Sequence, residues 1–329
     1  MPLWFYPLGF TMTSSTHTIT VAVLAGGPDA EREVSLVSAR GVADALALNA
    51  RFRVQHREIG RLSQADLRAI PADVIFPVLH GPWGEGGPLQ DLLERDGRAY
   101  VGCGPRAARL AMDKLATKLA AHRCRIPAAQ GAAFNASDPG CPLEFPVVVK
   151  PVHEGSSVGV HFARDAGQWT NAHAAVLEDR AANPHRMYMV ERAVLNAREL
   201  TVGVLDGDAL PPIEIVPKNA FYDFHAKYQS DDTRYVVNPD LPMGVARTVQ
   251  DRARVLCQEL GVRHLARVDF LLDATGEAWL LEANTLPGFT GHSLFPMAAA
   301  DRAAGPGLDM TALTTRLVEL ALRDQSARH

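Results

Sequence analysis

Two apolar runs around one short polar turn, late in the chain, restrict its fold more than any other feature. Residues 266–272 (Ala-Arg-Val-Asp-Phe-Leu-Leu) lead into a turn at 273–276, and Trp279-Leu280-Leu281-Glu282-Ala283-Asn284 follow. Such a pattern predicts two adjacent antiparallel strands. Arg267 and Asp269 stand two apart, as do Glu282 and Asn284, and alternation along a strand puts each pair on one face. Paired strands would bring Asp269, Glu282 and Asn284 together, with Arg267 beside them. Three oxygen ligands with room for phosphate and water suit Mg2+, which keeps waters and takes few carboxylates. An arginine there suits a phosphoryl oxygen. A hairpin with a merely solvated polar face has the same spacing, and spacing alone does not separate the two.

At 329 residues the chain is long enough for two or three domains, and a 47% apolar content supplies their cores. A net charge of -4 gives no general reason to expect nucleic-acid or membrane binding. Cys103, Cys124, Cys141 and Cys257 are scattered without metal or redox spacing, which predicts reduced thiols in a cytoplasmic protein. Residues 1–10 are apolar and aromatic but lack a basic start and a cleavage site, so they make a poor signal peptide. With Met12 just behind them, residues 1–11 read as an upstream extension or a disordered tail, and 1–17 as a segment outside the fold. No stretch is long and apolar enough to predict a membrane span.

Taken in order, residues 18–24 form a buried strand that ends in Gly26-Gly27, and a helix opens at Glu31 and runs to about Leu48. The turn lacks the glycine spacing of a dinucleotide site, which leaves a simple structural turn or an anion-facing helix start. Glu31 would also suit the helix N-terminus electrostatically. Strands follow at 52–59 and 73–79, the second running into His80-Gly81 and a glycine cluster, where open α/β sheets carry sites. His80 is either ligand-facing or a plain strand-end residue. A helix at 89–96 and a short strand at 99–102 complete a parallel α/β domain over 18–102. Residues 106–122 read as one helix with Lys114 and Lys118 on one face, the usual position of solvated lysines. A strand at 145–151 carries Lys150 just before a loop, Gly155-Ser156-Ser157-Val158-Gly159. Its backbone donors suit a phosphate chain as well as they suit a plain hairpin. Strands at 186–191, 199–204 and 209–216 follow, with a hinge at 193–198. Residues 217–236 are polar and aromatic without a steady period, either a lid or an idle surface loop. Amphipathic helices at 244–260 and 310–322 finish the chain.

The ordered set of these pieces resembles the ATP-grasp superfamily and, within it, the D-alanine–D-alanine ligase family, over residue 19 to the end. It comprises Glu31-Arg32-Glu33-Val34-Ser35-Leu36, His80-Gly81, Met112-Asp113-Lys114, Val149-Lys150-Pro151, Glu154 to Gly159, Phe221-Tyr222-Asp223, Ala226-Lys227-Tyr228, Arg267-Val268-Asp269 and Glu282-Ala283-Asn284. The resemblance implies an α/β fold, α+β in parts, with three-domain ATP-grasp architecture. An N-terminal substrate domain would span 18–102 and a central ATP-grasp domain 103–195. A C-terminal ATP-grasp domain with lid and metal site would span 196–329.

The same resemblance implies ADP-forming ligation of two D-alanines for peptidoglycan precursors. Lys114, Lys150, Ser157 and Lys227 would hold ATP phosphates, while Glu191 and Glu199 would meet adenine and ribose. Asp269, Glu282 and Asn284 would bind two Mg2+ ions, for which Mn2+ substitutes. Glu31 would take the first ammonium, with His80 close by and Ser156 and Tyr228 completing a triad. Ser293 and the Leu294 backbone would take the second carboxylate, and Arg267 and the Gly288 N–H the oxyanion. A homodimer is implied as well. Three positions depart from the family pattern: Phe224 for tyrosine, Phe289 for methionine and Gly86 for an acidic residue. Tyr228 favours D-alanine over D-lactate as second substrate. A non-catalytic nucleotide-binding module is disfavoured by the intact charged set, and a nicotinamide dehydrogenase by the missing fingerprint.

Overall fold

The computed structural model describes residues 18–138, 140–155, 158–217, 233–301 and 306–327. The N-terminal tail, most of the expected lid, Phe224 and the predicted site residues Ser156, Ser157, Lys227 and Tyr228 lie outside them.

Three sheets form in chain order. The first contains β1 (Ile19–Gly26), β2 (Phe52–Ile59), β3 (Val74–Pro77) and β4 (Ala99–Tyr100), all parallel, in the order β2-β1-β3-β4. Both faces of β1 are apolar, as a doubly covered parallel strand requires. Val21 and Val23 pack under α1 (Arg32–Ala47), while Ala22 and Leu24 pack under α2 (Gln64–Arg68) and α4 (Pro88–Asp96). The order reverses direction between β1 and β3, so their carboxyl ends open a crevice. Gly26 to Glu31 leave β1 there, and His80 leaves β3 there, just before the single turn α3 (Gly81–Gly84).

The second sheet contains β5 (Gly131–Ala133), β6 (Val147–Pro151), β7 (His161–Ala163) and β8 (Tyr188–Arg192), antiparallel in the order β5-β8-β6-β7. Ahead of it the expected single helix at 106–122 is two, α5 (Pro105–Met112) and α6 (Lys114–Arg123). Asp113 breaks it: its backbone is extended and its carboxylate accepts the N–H groups of Leu115 and Ala116, capping α6. The helix α7 (Ala166–Ala182), which hydropathy had not marked, covers one face with Trp169 and Val176.

The third sheet contains β9 (Arg198–Leu205), β10 (Asp208–Ala209), β11 (Ile213–Val216), β12 (Arg234–Val237), β13 (Leu265–Leu272) and β14 (Ala278–Asn284). Its main order is β12-β11-β9-β13-β14, antiparallel throughout, so the expected hairpin at 266–284 is real and β9 flanks it. The expected lid at 217–236 ends sooner than its composition suggested, because Arg234 to Val236 belong to β12. The helix α8 (Val245–Leu260) covers Val268, Phe270 and Leu280 on one face. After α9 (Leu294–Ala300), the last helix α10 (Met310–Ser326) returns to pack on the first sheet, burying Leu313, Leu317 and Val318.

Candidate active site

β13 and β14 fix the centre of the site through one irregularity. Leu272 pairs with Ala278 and Phe270 with Leu280, and both of the latter face α8. A regular ladder would go on to pair Asp269 with Leu281 and turn Glu282 toward the helix. The register instead shifts between Asp269 and Phe270, and Leu281 is the extra residue. Such a bulge swaps the face of everything beyond it. Asp269 is thereby the direct partner of Glu282, and Arg267 of Asn284, all away from α8.

The chain's own cations hold these carboxylates. Arg267 grips Asp269 with two parallel bonds of 3.0 and 2.9 Å, and Thr201 of β9 donates to the same carboxylate at 2.5 Å. Lys114 Nζ stands 3.3 Å from Glu282 and donates to the Glu154 carbonyl at 2.6 Å. Burial alone would raise the Glu282 pKa, yet Lys114, Lys150 and Arg267 together hold it below the usual carboxylate range. Lys150 meets Glu191 at 2.5 Å. Asn284 Oδ1 accepts the Leu286 N–H at 2.9 Å, which occupies one of its lone pairs. Glu199 lies two residues before Thr201 on β9, on the face that carries Asp269.

Among the described residues no three His, Cys, Asp or Glu side chains cluster as a metal site. The expected set, however, holds only two carboxylates and an amide. All three donors are oxygens and the two carboxylates are adjacent, which fits a hard divalent cation bound together with phosphate.

Glu31 and His80 meet at the crevice of the first sheet. Ser35 of α1 ties the helix start there, accepting the Gly26 N–H at 2.8 Å and donating to the Val78 carbonyl. Glu31 makes no side-chain cap of α1. Its Oε2 lies 3.4 Å from where a Cβ on Gly155 would stand, so it reaches the start of the glycine-serine loop. Burial drives the His80 pKa down, against the pull of nearby Glu31 and a bond to the Leu286 backbone. Its Nε2 is buried with no hydrogen-bond partner among the described residues, which leaves it open to a ligand group. In the loop after β14, Gly288 and Ser293 are neighbours, since a Cβ on Gly288 would sit 2.9 Å from Ser293 Oγ. Leu294 opens α9 beside them.

Three residues of this site carried no clear mark in the sequence. Lys118, read as a solvated lysine, is only partly exposed and bridges Glu191 at 2.8 Å and the Ala129 carbonyl at 2.8 Å. Asp29 accepts the Trp83 and Gly84 N–H groups at 2.9 and 3.1 Å, bracing the loop of Glu31 against the turn of His80. Glu85 is buried and accepts the Gly81 N–H; burial first, then Glu31 and Glu282, push its pKa up to about 8. The spacing of Lys118 from Lys114 was the only available signal. Two departures from the family pattern have reasons in packing. A Cβ at residue 86 would stand 2.4 Å from the Pro82 carbonyl oxygen, so only glycine fits. Phe289 is buried edge-on between Phe76 and Phe295.

Residues 138–319 match the family described as D-ala D-ala ligase C-terminus. A D-alanine–D-alanine ligase of Bordetella petrii is 42% identical over 287 residues, which cover 85% of this chain and 86% of that one. This chain belongs to the D-alanine–D-alanine ligase family. A family member from Stutzerimonas stutzeri is 40% identical over 315 residues, covering 92% of this chain and 94% of its own. The crystal structure of the Bacillus anthracis ligase superposes with a TM-score of 0.78 at 26% identity, over 94% of this chain and 100% of that one. The fold is the ATP-grasp architecture of that family. Among the described residues no helix is long and apolar enough to cross a membrane.

Proposed function

We propose that this chain joins two D-alanines to D-alanyl-D-alanine, converting ATP to ADP and phosphate, for peptidoglycan precursor synthesis. The first D-alanine binds with its ammonium at Glu31 and its carboxylate near Arg267, with His80 at its side. One oxygen of that carboxylate attacks the γ-phosphorus of ATP and ADP leaves, giving an acyl phosphate. Lys114 and Lys150 hold the phosphate chain, and Arg267 spreads the charge of the transferred group. Glu191 and Glu199 serve adenine and ribose. The second D-alanine binds by its carboxylate at Ser293 and the Leu294 backbone. Its amine, having lost a proton, attacks the acyl carbon; the Gly288 N–H and Arg267 donate to the tetrahedral oxygen, and phosphate departs. Ser156, Ser157, Lys227 and Tyr228 take the lid and phosphate roles named above. Asp269, Glu282 and Asn284 would hold Mg2+ or Mn2+, whose charge offsets that of the phosphates.

One observation supports this reading above the others. Asp269 and Glu282 are cross-strand partners on a single face, and Lys114 spans from Glu282 to the carbonyl at the foot of the glycine-serine loop. A phosphate lysine and both metal carboxylates thus share one cluster. We further propose a cytoplasmic homodimer, divided into bodies at 18–102, 103–195 and 196–329.

The test is ADP release and dipeptide mass measured with ATP, Mg2+ and D-alanine. Stoichiometric ADP and D-alanyl-D-alanine are expected, with both lost on chelation and restored by Mg2+ or Mn2+. ADP release that needs D-lactate as second acceptor would replace the dipeptide reading with an ester-forming one. No ADP release with either would end it.

A further inference from the structure

Among the described residues five non-glycines hold positive φ, and three of them are Asn or Asp, which tolerate it. Arg125 is exposed, but His264 (φ 64) is 2% exposed, a bulky ring kept inside on a left-handed backbone. Such a conformation costs free energy and persists only where the surroundings over-determine it.

The surroundings of His264 do so. Nδ1 accepts the Gly102 N–H at 3.0 Å, so the ring proton sits on Nε2 and is donated to Asp324 of α10 at 3.0 Å. Its own carbonyl takes the Asp206 N–H at 2.8 Å. Burial pushes the His264 pKa down to about 4, so Nδ1 stays an acceptor at neutral pH. The preceding residue completes the grip. Arg263 Nε donates to the Gly102 carbonyl at 3.1 Å, and its guanidinium lies 4.7 Å over the Tyr100 ring. Two consecutive side chains therefore take both backbone polar groups of Gly102.

Gly102 follows β4, which pairs with β3, and β3 leads within three residues to His80. The same segment also touches the far end of the metal-bearing strands. A Cβ on Gly102 would lie 3.2 Å from Leu286, and the Cys103 thiol stands beside the Thr285 side chain. Both open ends of the β13–β14 hairpin, at 263–264 and 285–286, thus rest on 102–103. Arg267, Asp269, Glu282 and Asn284 lie just inside those ends.

We propose that His264, with Arg263, is a positioning residue: by clamping Gly102 it sets the phosphate-and-metal half of the site against the Glu31–His80 half. This rests on the function proposed above. Reacting groups held on two separate sheets need their spacing fixed closely, because a shift of about 1 Å costs roughly 100-fold in rate.

The experiment compares the full-length parent with His264→Gly, His264→Asn and Arg263→Met. Glycine suits the backbone but removes both ring bonds. Asparagine tolerates positive φ and keeps an acceptor for the Gly102 N–H. Expected for His264→Gly is a kcat lower by about 10- to 100-fold with the KM for ATP within about twofold. Arg263→Met should shift kcat in the same direction, and His264→Asn should recover most of the loss. The proposal is overturned if folded His264→Gly keeps kcat within about twofold of the parent, or if folded His264→Asn is as slow as the glycine variant. Should His264→Gly fail to fold, Arg263→Met decides in its place: an unchanged kcat overturns the clamp. Hydrogen exchange of the Gly102 amide separates the clamp from the function: slow in the parent and fast in His264→Gly is expected. A parent that makes no ADP but shows this contrast sinks the ligase reading alone, whereas fast exchange in the parent sinks the clamp.

Discussion

Glu282 carries the most charge bookkeeping of any residue here, and its substitution gives the sharpest test. It is flanked by Lys114 and answers Asp269 across the strands. Glu282→Gln keeps the shape and removes the charge, so ADP formation should fall by at least about 100-fold in a variant that still unfolds cooperatively, at a somewhat lower melting temperature because Lys114 loses its partner. Unchanged turnover would remove Glu282 from the metal set. His264 sets a pH dependence. Its folded pKa of about 4 lies below the ordinary histidine value. The unfolded chain therefore takes up the proton first, and stability present above about pH 6.5 drains away as pH falls toward 4. Between pH 7.5 and 5 the loss from this one ring is about 2 kcal/mol. Denaturant titrations should find the parent losing about that much more than His264→Asn over the same interval; equal losses would refute the assignment.

At the scale of elements, short polar braces decide where the reactive side chains stand. Asp29 holds the α3 turn through two N–H groups, much as a cap does. Asp29→Ala should cost about 1 kcal/mol in stability and raise the KM for D-alanine several-fold, with the KM for ATP unchanged. An equal rise in both constants would mean that the brace acts on the whole molecule and not on the Glu31–His80 turn. Alternation and turn chemistry made most strands legible, including both halves of the β13–β14 hairpin and the parallel run from β1 to β4. The break between α5 and α6 was not legible as a break, because no glycine or proline marks it and residues 106–122 are mostly good helix formers. Only the extended backbone at Asp113 reveals that α6 starts afresh with Lys114 as its first residue. The helix α7 escaped notice because its alanines and polar residues give little amphipathic contrast; packing of Trp169 and Val176 on the central sheet identifies it.

Across the whole molecule, the last helix closes the first sheet. Leu313, Leu317, Val318 and Leu320 of α10 are wholly buried in a core they share with Val21, Val23 and Phe76. At roughly 2 kcal/mol each, their burial is about 8 kcal/mol, the order of a domain's entire stability. A chain ending at residue 308 should therefore fail to fold its N-terminal part, seen as lost cooperative unfolding and protease sensitivity of 18–102. A truncated chain that melts like the parent would show that α10 is dispensable. Asp324 on this helix also anchors His264, so α10 joins the first sheet to the start of β13.

The sequence by itself determined the chemistry on offer: three oxygen donors and an arginine on two apolar strands, lysines ahead of a glycine-serine loop, and a glutamate opening a helix. Those are properties of residue order and local period. Facing was beyond it, because a regular ladder would have turned Glu282 toward α8, away from Asp269. The extra residue Leu281 reverses that, and a bulge is settled by what packs on each face, Phe270 and Leu280 under α8 on one side and Lys114 and Arg267 on the other. Contacts between residues so far apart along the chain exist only once the tertiary structure has formed.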